Sequence, residues 1–296
     1  MNQLKFFCRS ILDVLNQNVL TNKVLLKLAR AGWLPKFIWK RLPVEKTFII
    51  SLPAQKSFQY SSTSDDYVGN ALFWRGLSSW EPETIEVFYK LAQKSNLVLD
   101  IGANTGLFTM LALSANPNSQ VLSFEPVPNT YKQLVSHVKR NGWEERCQIY
   151  NKAVSNIVGE TKFHVPFNDV PLSASLNLQG FRGQEGVIID IPVTTIDDVC
   201  SKSGKIDLIK LDVEGFEDKV LEGMEQVLSN SSPTIIVECN PDGPVLAVEN
   251  ILSKFGYHFF HLRTEGPVAM DKIVPDQKQL YRNFLCTPHK DWEKIG

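Results

Sequence analysis

The sequence has few cysteines, and none lie close enough together to suggest a metal site or a disulfide framework. The five cysteines include no Cys-X-X-Cys pair, and no tight histidine cluster accompanies them. An odd, scattered set of cysteines is typical of a reducing compartment. The sequence therefore predicts a cytoplasmic protein without a bound metal.

Long apolar runs are also missing. No stretch approaches the roughly 20 apolar residues that cross a bilayer. Asp13 and Asn16 interrupt the N-terminal stretch, where a secretory signal would need an unbroken apolar core. With 43% hydrophobic residues and a net charge of −1, the composition indicates an ordinary soluble globular protein.

The basic residues are unevenly distributed. Up to Arg41 the chain has eight basic residues and one acidic residue, whereas the remainder carries a net charge of −8. Apolar residues at helical spacing predict two helices within residues 1–31, followed by Trp33, Phe37 and Trp39 among cations. Residues 1–79 are therefore predicted to form a helical, basic extension. Its aromatic residues are expected to cap the main domain, with peripheral membrane contact or a homodimer interface through residues 1–41 as alternatives.

Strand and helix patterns alternate from about residue 81, which predicts a parallel sheet with helices on both faces. The alternation fails between residues 156 and 196, where two short strands flank a stretch rich in serine, asparagine and glycine. We interpret residues 166–186 as a substrate loop, because long irregular loops in compact domains commonly bind ligands. The predicted organisation is the extension, 1–79, followed by one α/β domain, 80–296.

The glycine-rich turn in LVLDIGANTGLF lacks both common phosphate fingerprints. A dinucleotide-binding turn would need glycines where the sequence has Asn104 and Leu107, and no Gly-Lys-Ser/Thr follows as in a P-loop. The turn instead places Asp100, Gly102 and Gly106 between a strand and a helix. These absences exclude the usual NAD and P-loop patterns.

An acidic residue follows the next predicted strand. Glu125 lies 23 residues after Gly102, where its carboxylate can accept hydrogen bonds from both hydroxyls of an adenosine ribose. Asp100 would face an ammonium group, directly or through water. A nucleoside held by two carboxylates without phosphate contacts predicts S-adenosylmethionine, which carries a sulfonium and an ammonium. A tight turn without a ligand is the alternative.

Three further carboxylates fall at or just beyond the ends of later strands. Asp212 and Glu238 are predicted at the ligand-binding edge of the sheet, where either could act as general base towards an acceptor hydroxyl, with Asp212 preferred. Asp212 could instead orient its loop. Glu214 precedes a helix and serves either the helix dipole or catalysis. Coordination of magnesium by the three carboxylates is a further alternative.

Polar residues near the irregular loop could also contribute. His164, on the strand leading into the loop, is a candidate base, with a partly buried structural histidine as the alternative. Ser173 and Ser175 could hold a polyol, although loop serines more often form turns. His137, beside Lys139 in a predicted helix, is expected on the surface.

Five segments resemble FkbM-type methyltransferases in sequence and in order: VLDIGANTGLFT, FEPVPNTYKQL, VTTIDDV, IKLDVEGFEDKVLEGM and VEC. The resemblance runs from about residue 80 to the final NFLCTP, and LDVEGFE is its most specific part. It implies a class I methyltransferase fold, a Rossmann-like doubly wound sheet of seven strands with the last antiparallel. The residues that it places at the cofactor are Asp100, Gly102, Ala103, Asn104, Gly106, Glu125, Pro126, Ala153 and Val154, the last two near the adenine.

The resemblance also implies methyl transfer to oxygen, on polyketide or sugar acceptors. We therefore predict an S-adenosylmethionine-dependent O-methyltransferase acting on a carbohydrate or natural product, with a small-molecule or glycan acceptor and no nucleic-acid partner. Two alternatives stay open. One is an N-methyltransferase, although LDVEGF lacks the Asn/Asp-Pro-Pro-Tyr/Phe pocket that amine acceptors often meet. The other is a non-catalytic nucleoside-binding or assembly protein, which would have no need of Asp212 and Glu238.

Overall fold

The computed structural model describes residues 19–40, 42–167 and 185–294. The chain divides into two units, Met1–Pro82 and Glu83–Gly296. The first of the two helices predicted within residues 1–31, and also Ser173 and Ser175, lie outside the described residues. Within the described parts of the chain, no helix is both long and apolar enough to cross a membrane.

The N-terminal unit combines helices with a β-hairpin. Its elements are α1 (Val19–Arg30), α2 (Lys36–Trp39), β1 (Lys46–Ser51), β2 (Ser57–Ser62) and α3 (Tyr67–Arg75). Helix α1 corresponds to the second predicted helix, and Gly32 follows it with a φ of 83°, the left-handed conformation that ends many helices. Ala29, Trp39, Leu42 and Trp74 belong to a buried apolar cluster of this unit.

The prediction of an entirely helical extension was wrong, because β1 and β2 pair antiparallel from Lys46↔Ser62 to Ser51↔Ser57. The reversal between the strands has positive φ at Ala54 and Gln55. Hairpins usually place glycine or asparagine at such positions, so the sequence carries no ordinary hairpin signal here. Phe58 on β2 is buried, which gives the hairpin an apolar face.

The C-terminal unit is built on a mixed sheet of eight strands. These are β3 (Leu97–Ile101), β4 (Gln120–Phe124), β5 (Cys147–Tyr150), β9 (Leu208–Leu211), β10 (Thr234–Glu238), β11 (His258–Arg263), β12 (Gly266–Met270) and β13 (Asn283–Thr287). Their order across the sheet is β12-β11-β13-β10-β9-β3-β4-β5. Pairing is parallel from β10 to β5, and β13 is antiparallel to both of its neighbours.

This arrangement confirms the predicted class I methyltransferase fold with its antiparallel last strand. Strand β12 was not predicted and adds an eighth strand at the sheet edge, where it pairs with β11 alone. Pro267 lies within β12. A proline inside an apolar run lowers the strand signal, although an edge strand tolerates it.

Within the described residues, seven α-helices follow α3. They are α4 (Pro82–Ala92), α5 (Leu107–Ala115), α6 (Pro128–Arg140), α7 (Ile196–Val199), α8 (Glu217–Glu222), α9 (Glu225–Ser231) and α10 (Val245–Lys254). The sequence predicted α8 and α9 as one helix. They are separate helices, and a Cβ at Gly223 between them would overlap the carbonyl oxygen of Ser155.

A second, three-stranded sheet has the order β6-β8-β7. Its strands are β6 (Ala153–Val154), β7 (Gly159–Pro166) and β8 (Gly186–Thr194). The single strand predicted over CQIYNKAV is therefore divided between two sheets, since β5 pairs with β4 and β6 pairs with β8. Residues 168–184 of the predicted substrate loop lie outside the described residues.

The central strands of the main sheet are fully buried, in agreement with their nearly continuous apolar sequences. Parallel strands end at the same edge of a sheet. The residues at or next to the ends of β3, β4, β9 and β10 are Asp100, Glu125, Asp212 and Glu238. This edge is the place where the predicted cofactor and acceptor residues come together.

Candidate active site

Gly102 begins the turn after β3 and makes the closest backbone approach in the site. It has a φ of 81°, and a Cβ at this position would overlap the backbone carbonyl oxygen of Asp212. The N–H groups of Gly102 and Ala103 donate to the carbonyl of Phe124 at 3.0 and 2.9 Å. The turn is therefore fixed against the ends of both neighbouring strands, and this packing is a reason for glycine independent of any ligand.

We expect Gly102→Ala to destabilise the protein by at least about 3 kcal/mol, because it combines a left-handed backbone cost of roughly 1–2 kcal/mol with the clash against Asp212. Gly142→Ala is the matched control, since Gly142 has a φ of 69° and open space around it. It should cost only about 1 kcal/mol. Urea denaturation of both variants measures the difference, and equal losses would contradict the importance of the close approach.

The second half of the turn is held by Asn104 and Gly106. Asn104 has a φ of 49°, and its side-chain oxygen accepts a hydrogen bond from the N–H of Thr105 at 2.8 Å. Gly106 has a φ of 91°, and a Cβ there would overlap Leu134 on α6. Both residues shape the entry into α5.

Glu125 connects this turn to the loop after β4. Its two carboxylate oxygens accept hydrogen bonds from the N–H groups of Asn104 at 2.9 Å and Val127 at 2.8 Å. Burial raises the pKa of Glu125 to about 7, although both hydrogen bonds lower it. Each oxygen of an ionised carboxylate can accept a further hydrogen bond, so Glu125 can hold the turn and also bind the ribose hydroxyls.

The affinity for S-adenosylhomocysteine should therefore depend on pH. Ribose hydroxyls bind the ionised carboxylate more strongly than the neutral acid, and the pKa of Glu125 lies at about 7. As pH falls through this value Glu125 gains a proton, and the affinity should be about tenfold weaker at about pH 6 than at about pH 8. Calorimetric titration measures this change. A flat profile would show that Glu125 does not bind the ligand in its ionised form.

Asp100 lies deeper in the sheet. Its Oδ2 accepts a hydrogen bond from Thr109 Oγ1 at 2.6 Å, and Thr109 also lies 2.7 Å from Ser123 Oγ. Only 2% of Asp100 is exposed. Burial raises its pKa to about 6, against the lowering effects of Thr109 and Lys210. Asp100 thus ties β3 to α5, and its predicted contact with the ammonium of the cofactor stays a prediction.

The other predicted cofactor residues lie around the ends of β4 and β5. Asn151, which the sequence analysis did not select, donates from Nδ2 to the carbonyls of Glu125 at 2.8 Å and Pro126 at 2.9 Å. Ala153 and Val154 are buried on β6. An asparagine after a strand in an irregular loop gives no sequence signal that distinguishes it from other turn residues.

The residues predicted to meet the acceptor belong to a cluster of charged groups at the ends of β9 and β10. Asp212 Oδ2 lies 3.1 Å from Nζ of Lys210, which is only 1% exposed. Glu238 Oε1 lies 2.6 Å from Nη1 of Arg282 and accepts a hydrogen bond from Asn240 Nδ2 at 3.1 Å. Glu238 also contacts Asp212, and a hydrogen bond between the two side chains is one of the causes that lower the pKa of Asp212.

Charge compensation sets the protonation state of Asp212. Burial would raise its pKa, but Lys210, the hydrogen bond with Glu238 and Arg282 together hold the pKa of Asp212 below its usual value. Asp212 is therefore ionised at neutral pH and able to accept a proton. Lys210 Nζ also lies 5.1 Å from the ring centroid of Phe108, a distance that permits a cation–π contact.

Two acidic residues, Glu214 and Glu217, lie near the start of α8. Glu214 has a φ of 55° and lies in the short loop between β9 and α8. Glu217, a buried residue that the sequence analysis did not select, accepts hydrogen bonds through Oε1 from the N–H groups of Gly215 at 3.1 Å and Val213 at 3.3 Å. Burial raises the pKa of Glu217 to about 7. The acid that organises this loop is therefore Glu217.

The two histidines considered earlier are both buried. His164 lies on β7 of the smaller sheet with 4% of its surface exposed, and its Nδ1 has no hydrogen-bond partner among the described residues. The expectation that His137 lies on the surface was wrong. It is fully buried, and its Nδ1 lies 2.7 Å from the carbonyl oxygen of Thr105. The reason is that α6 packs against the turn between β3 and α5.

No group of three or more His, Cys, Asp or Glu side chains in the described parts of the chain has the arrangement of a metal site. Asp212 and Glu238 instead contact two cationic side chains, Lys210 and Arg282. The site thus brings the predicted carboxylates together in a network of nearly balanced charge.

Comparison with known proteins connects this geometry to a family. Residues 100–259 match the methyltransferase FkbM domain. The 2-O-methyltransferase NoeI of Sinorhizobium fredii is 29% identical over 155 residues, which are 48% of this chain and 62% of NoeI. The methyltransferase sdnD of Sordaria araneosa is 27% identical over 210 residues, 62% of this chain and 81% of sdnD.

Two further relatives carry the family's name. The 31-O-demethyl-FK506 methyltransferase FkbM of Streptomyces tacrolimicus is 25% identical over 189 residues, 55% of this chain and 72% of that protein. The solved methyltransferase FkbM of Methylobacillus flagellatus is 17% identical, with a TM-score of 0.42, over 65% of this chain and 43% of that one. The matched domain covers more than half of the sequence, from β3 to β11, and the chain belongs to the FkbM family of S-adenosylmethionine-dependent methyltransferases.

Proposed function

We propose that this protein transfers the methyl group of S-adenosylmethionine to a hydroxyl oxygen. The observation that carries the proposal is the position of Asp212, whose carboxylate is paired with Lys210 and whose backbone carbonyl contacts Gly102 of the cofactor turn. A proton acceptor is thereby fixed directly beside the predicted cofactor site. Oxygen acceptors need such a group because an alcohol is a weak nucleophile until its proton is shared.

In the proposed reaction, residues of this chain bind the cofactor, align the acceptor with it and remove the acceptor's hydroxyl proton. Glu125 holds the ribose, and the turn from Gly102 to Gly106 surrounds the cofactor's methionine portion. S-adenosylmethionine supplies an electrophilic methyl group and a neutral thioether leaving group. The acceptor oxygen forms the new bond to carbon as the sulfur–carbon bond breaks, and Asp212 takes the hydroxyl proton. Much of the rate enhancement comes from holding the two reactants in line.

We infer that the acceptor is a carbohydrate or a natural product. NoeI and the Streptomyces FkbM protein are both named as methyltransferases that act on oxygen, and the second is named for a natural product. Residues 166–186 are proposed to contact the acceptor, and residues 80–296 to form the methyltransferase domain. The free thiols at Cys147, Cys200, Cys239 and Cys286 favour a cytoplasmic location.

Isotope labelling tests the proposed reaction. Purified protein would be incubated with trideuteromethyl S-adenosylmethionine and a panel of sugar, macrolide and amine acceptors, and tandem mass spectrometry would locate the label. We expect the label on a hydroxyl oxygen of a sugar or macrolide. A label on nitrogen would establish the N-methyltransferase alternative, and cofactor binding without transfer to any acceptor would favour a non-catalytic binding protein.

A further inference from the structure

Helix α1 presents a cationic face to solvent. Lys23, Lys27 and Arg30 are all exposed, and their spacing of four and three residues places them on one side of a helix. Val24, beside them, is 57% exposed, whereas Ala29 on the other side is fully buried. No acidic residue occurs between residues 19 and 44 to neutralise these charges.

An exposed tryptophan follows the cationic face at a fixed position. Trp33 is 79% exposed. Its backbone is not loose, because its N–H donates to the carbonyl of Leu28 at 2.9 Å across the left-handed Gly32, and the next residue, Leu34, is buried. The end of helix α1 therefore holds a large aromatic side chain in solvent, directly after the helix that carries the three cations.

The structure separates this tryptophan from a second one nearby in sequence. Trp39 is only 5% exposed and belongs to the apolar cluster of the N-terminal unit with Leu42 and Trp74. Trp39 thus packs within its own unit, while Trp33 is not part of that cluster. A single exposed apolar side chain is ordinary on a protein surface, so the significance of Trp33 lies in its position directly after a helix with three exposed cations.

We propose that Lys23, Val24, Lys27, Arg30 and Trp33 form a surface that docks on an anionic lipid bilayer. Tryptophan is enriched at the membrane–water interface, where its ring enters the headgroup region. Lys and Arg next to it attract anionic headgroups. Charge alone would suit any polyanion, but the exposed Trp33 and Val24 favour a partner with an apolar layer. This surface is independent of the proposed methyl transfer.

Vesicle flotation of the full chain tests the proposal. We expect binding to phosphatidylcholine vesicles that contain about one third phosphatidylglycerol, and at least tenfold weaker binding to pure phosphatidylcholine. Each cation near a membrane surface contributes about fivefold in affinity, the equivalent of about 1 kcal/mol. Lys27→Gln with Arg30→Gln should therefore weaken binding roughly 25-fold, and Trp33→Ala should weaken it about tenfold or more.

Matched variants outside the proposed surface serve as controls. Lys139→Gln with Arg140→Gln removes two exposed cations from α6, and Leu246→Ala removes a side chain that is 69% exposed. Both should bind vesicles like the unchanged protein. The proposal is overturned if the chain does not float with anionic vesicles, if the two sets of variants lose binding equally, or if it binds heparin but not lipid. Cofactor titration of the same variants should give unchanged affinity, which separates this result from any failure of the proposed catalysis.

Discussion

Asp212→Asn is expected to lower kcat by about 100- to 10,000-fold, the usual contribution of a positioned general base. The amide has nearly the same shape as the carboxylate and leaves the backbone carbonyl beside Gly102 in place. Affinity for S-adenosylhomocysteine should therefore change by less than about threefold, because the substitution removes proton transfer and not cofactor binding. Single-turnover kinetics with the labelled acceptor, together with calorimetric titration, measure the two effects separately.

Two companion variants sharpen this prediction. Asp212→Glu keeps a carboxylate and should recover part of the lost rate. Asp190→Asn replaces an aspartate that is 70% exposed and paired with Lys162 on the smaller sheet, so its kcat should match that of the unchanged enzyme. If Asp212→Asn retains nearly full kcat, the base lies elsewhere, and Glu238→Gln and His164→Gln become the variants that identify it.

Glu125→Ala should weaken S-adenosylhomocysteine binding by at least about 100-fold. Two hydrogen bonds from the ribose to a charged group contribute roughly 3 kcal/mol or more, which corresponds to about two powers of ten in affinity. The variant also leaves the N–H groups of Asn104 and Val127 without their partner. Calorimetric titration gives the affinity, and thermal denaturation shows whether the fold persists.

Two further variants separate a loss of ligand binding from a loss of folding. Glu125→Gln retains one acceptor oxygen and should fall between the alanine variant and the unchanged protein. Glu145→Ala removes an exposed acid after α6 and should leave the affinity as it is. Strong binding by Glu125→Ala would mean that the ribose is held by other groups and that Glu125 serves only the loop.

The sheet and its carboxylates could be predicted because the signals are local. Buried parallel strands are short apolar runs, and the polar residue that ends such a run must lie at the edge where ligands bind. This logic places Asp100, Glu125, Asp212 and Glu238 correctly at one edge from the sequence alone. The glycines of the turn are predictable in the same way, since Gly102 and Gly106 occupy left-handed positions.

The partners of these carboxylates could not be predicted, because they come from distant parts of the chain. Arg282 lies 44 positions after Glu238 and meets it only because β13 pairs with β10. Lys210 is the one charged residue in the otherwise apolar strand β9, and it is buried with its neighbours. His137 is likewise a polar residue that is buried, in this case on helix α6. Burial of polar groups depends on tertiary pairing, which local periodicity does not contain.

The contact between Gly102 and the carbonyl of Asp212 restricts how this enzyme can diverge. It joins the turn that is predicted to hold the cofactor to the segment that is proposed to meet the acceptor, so neither backbone can move without displacing the other. Laboratory evolution towards new acceptors should therefore leave Gly102 unchanged, whereas the side chain at position 212 takes no part in this contact, which is made by the backbone carbonyl.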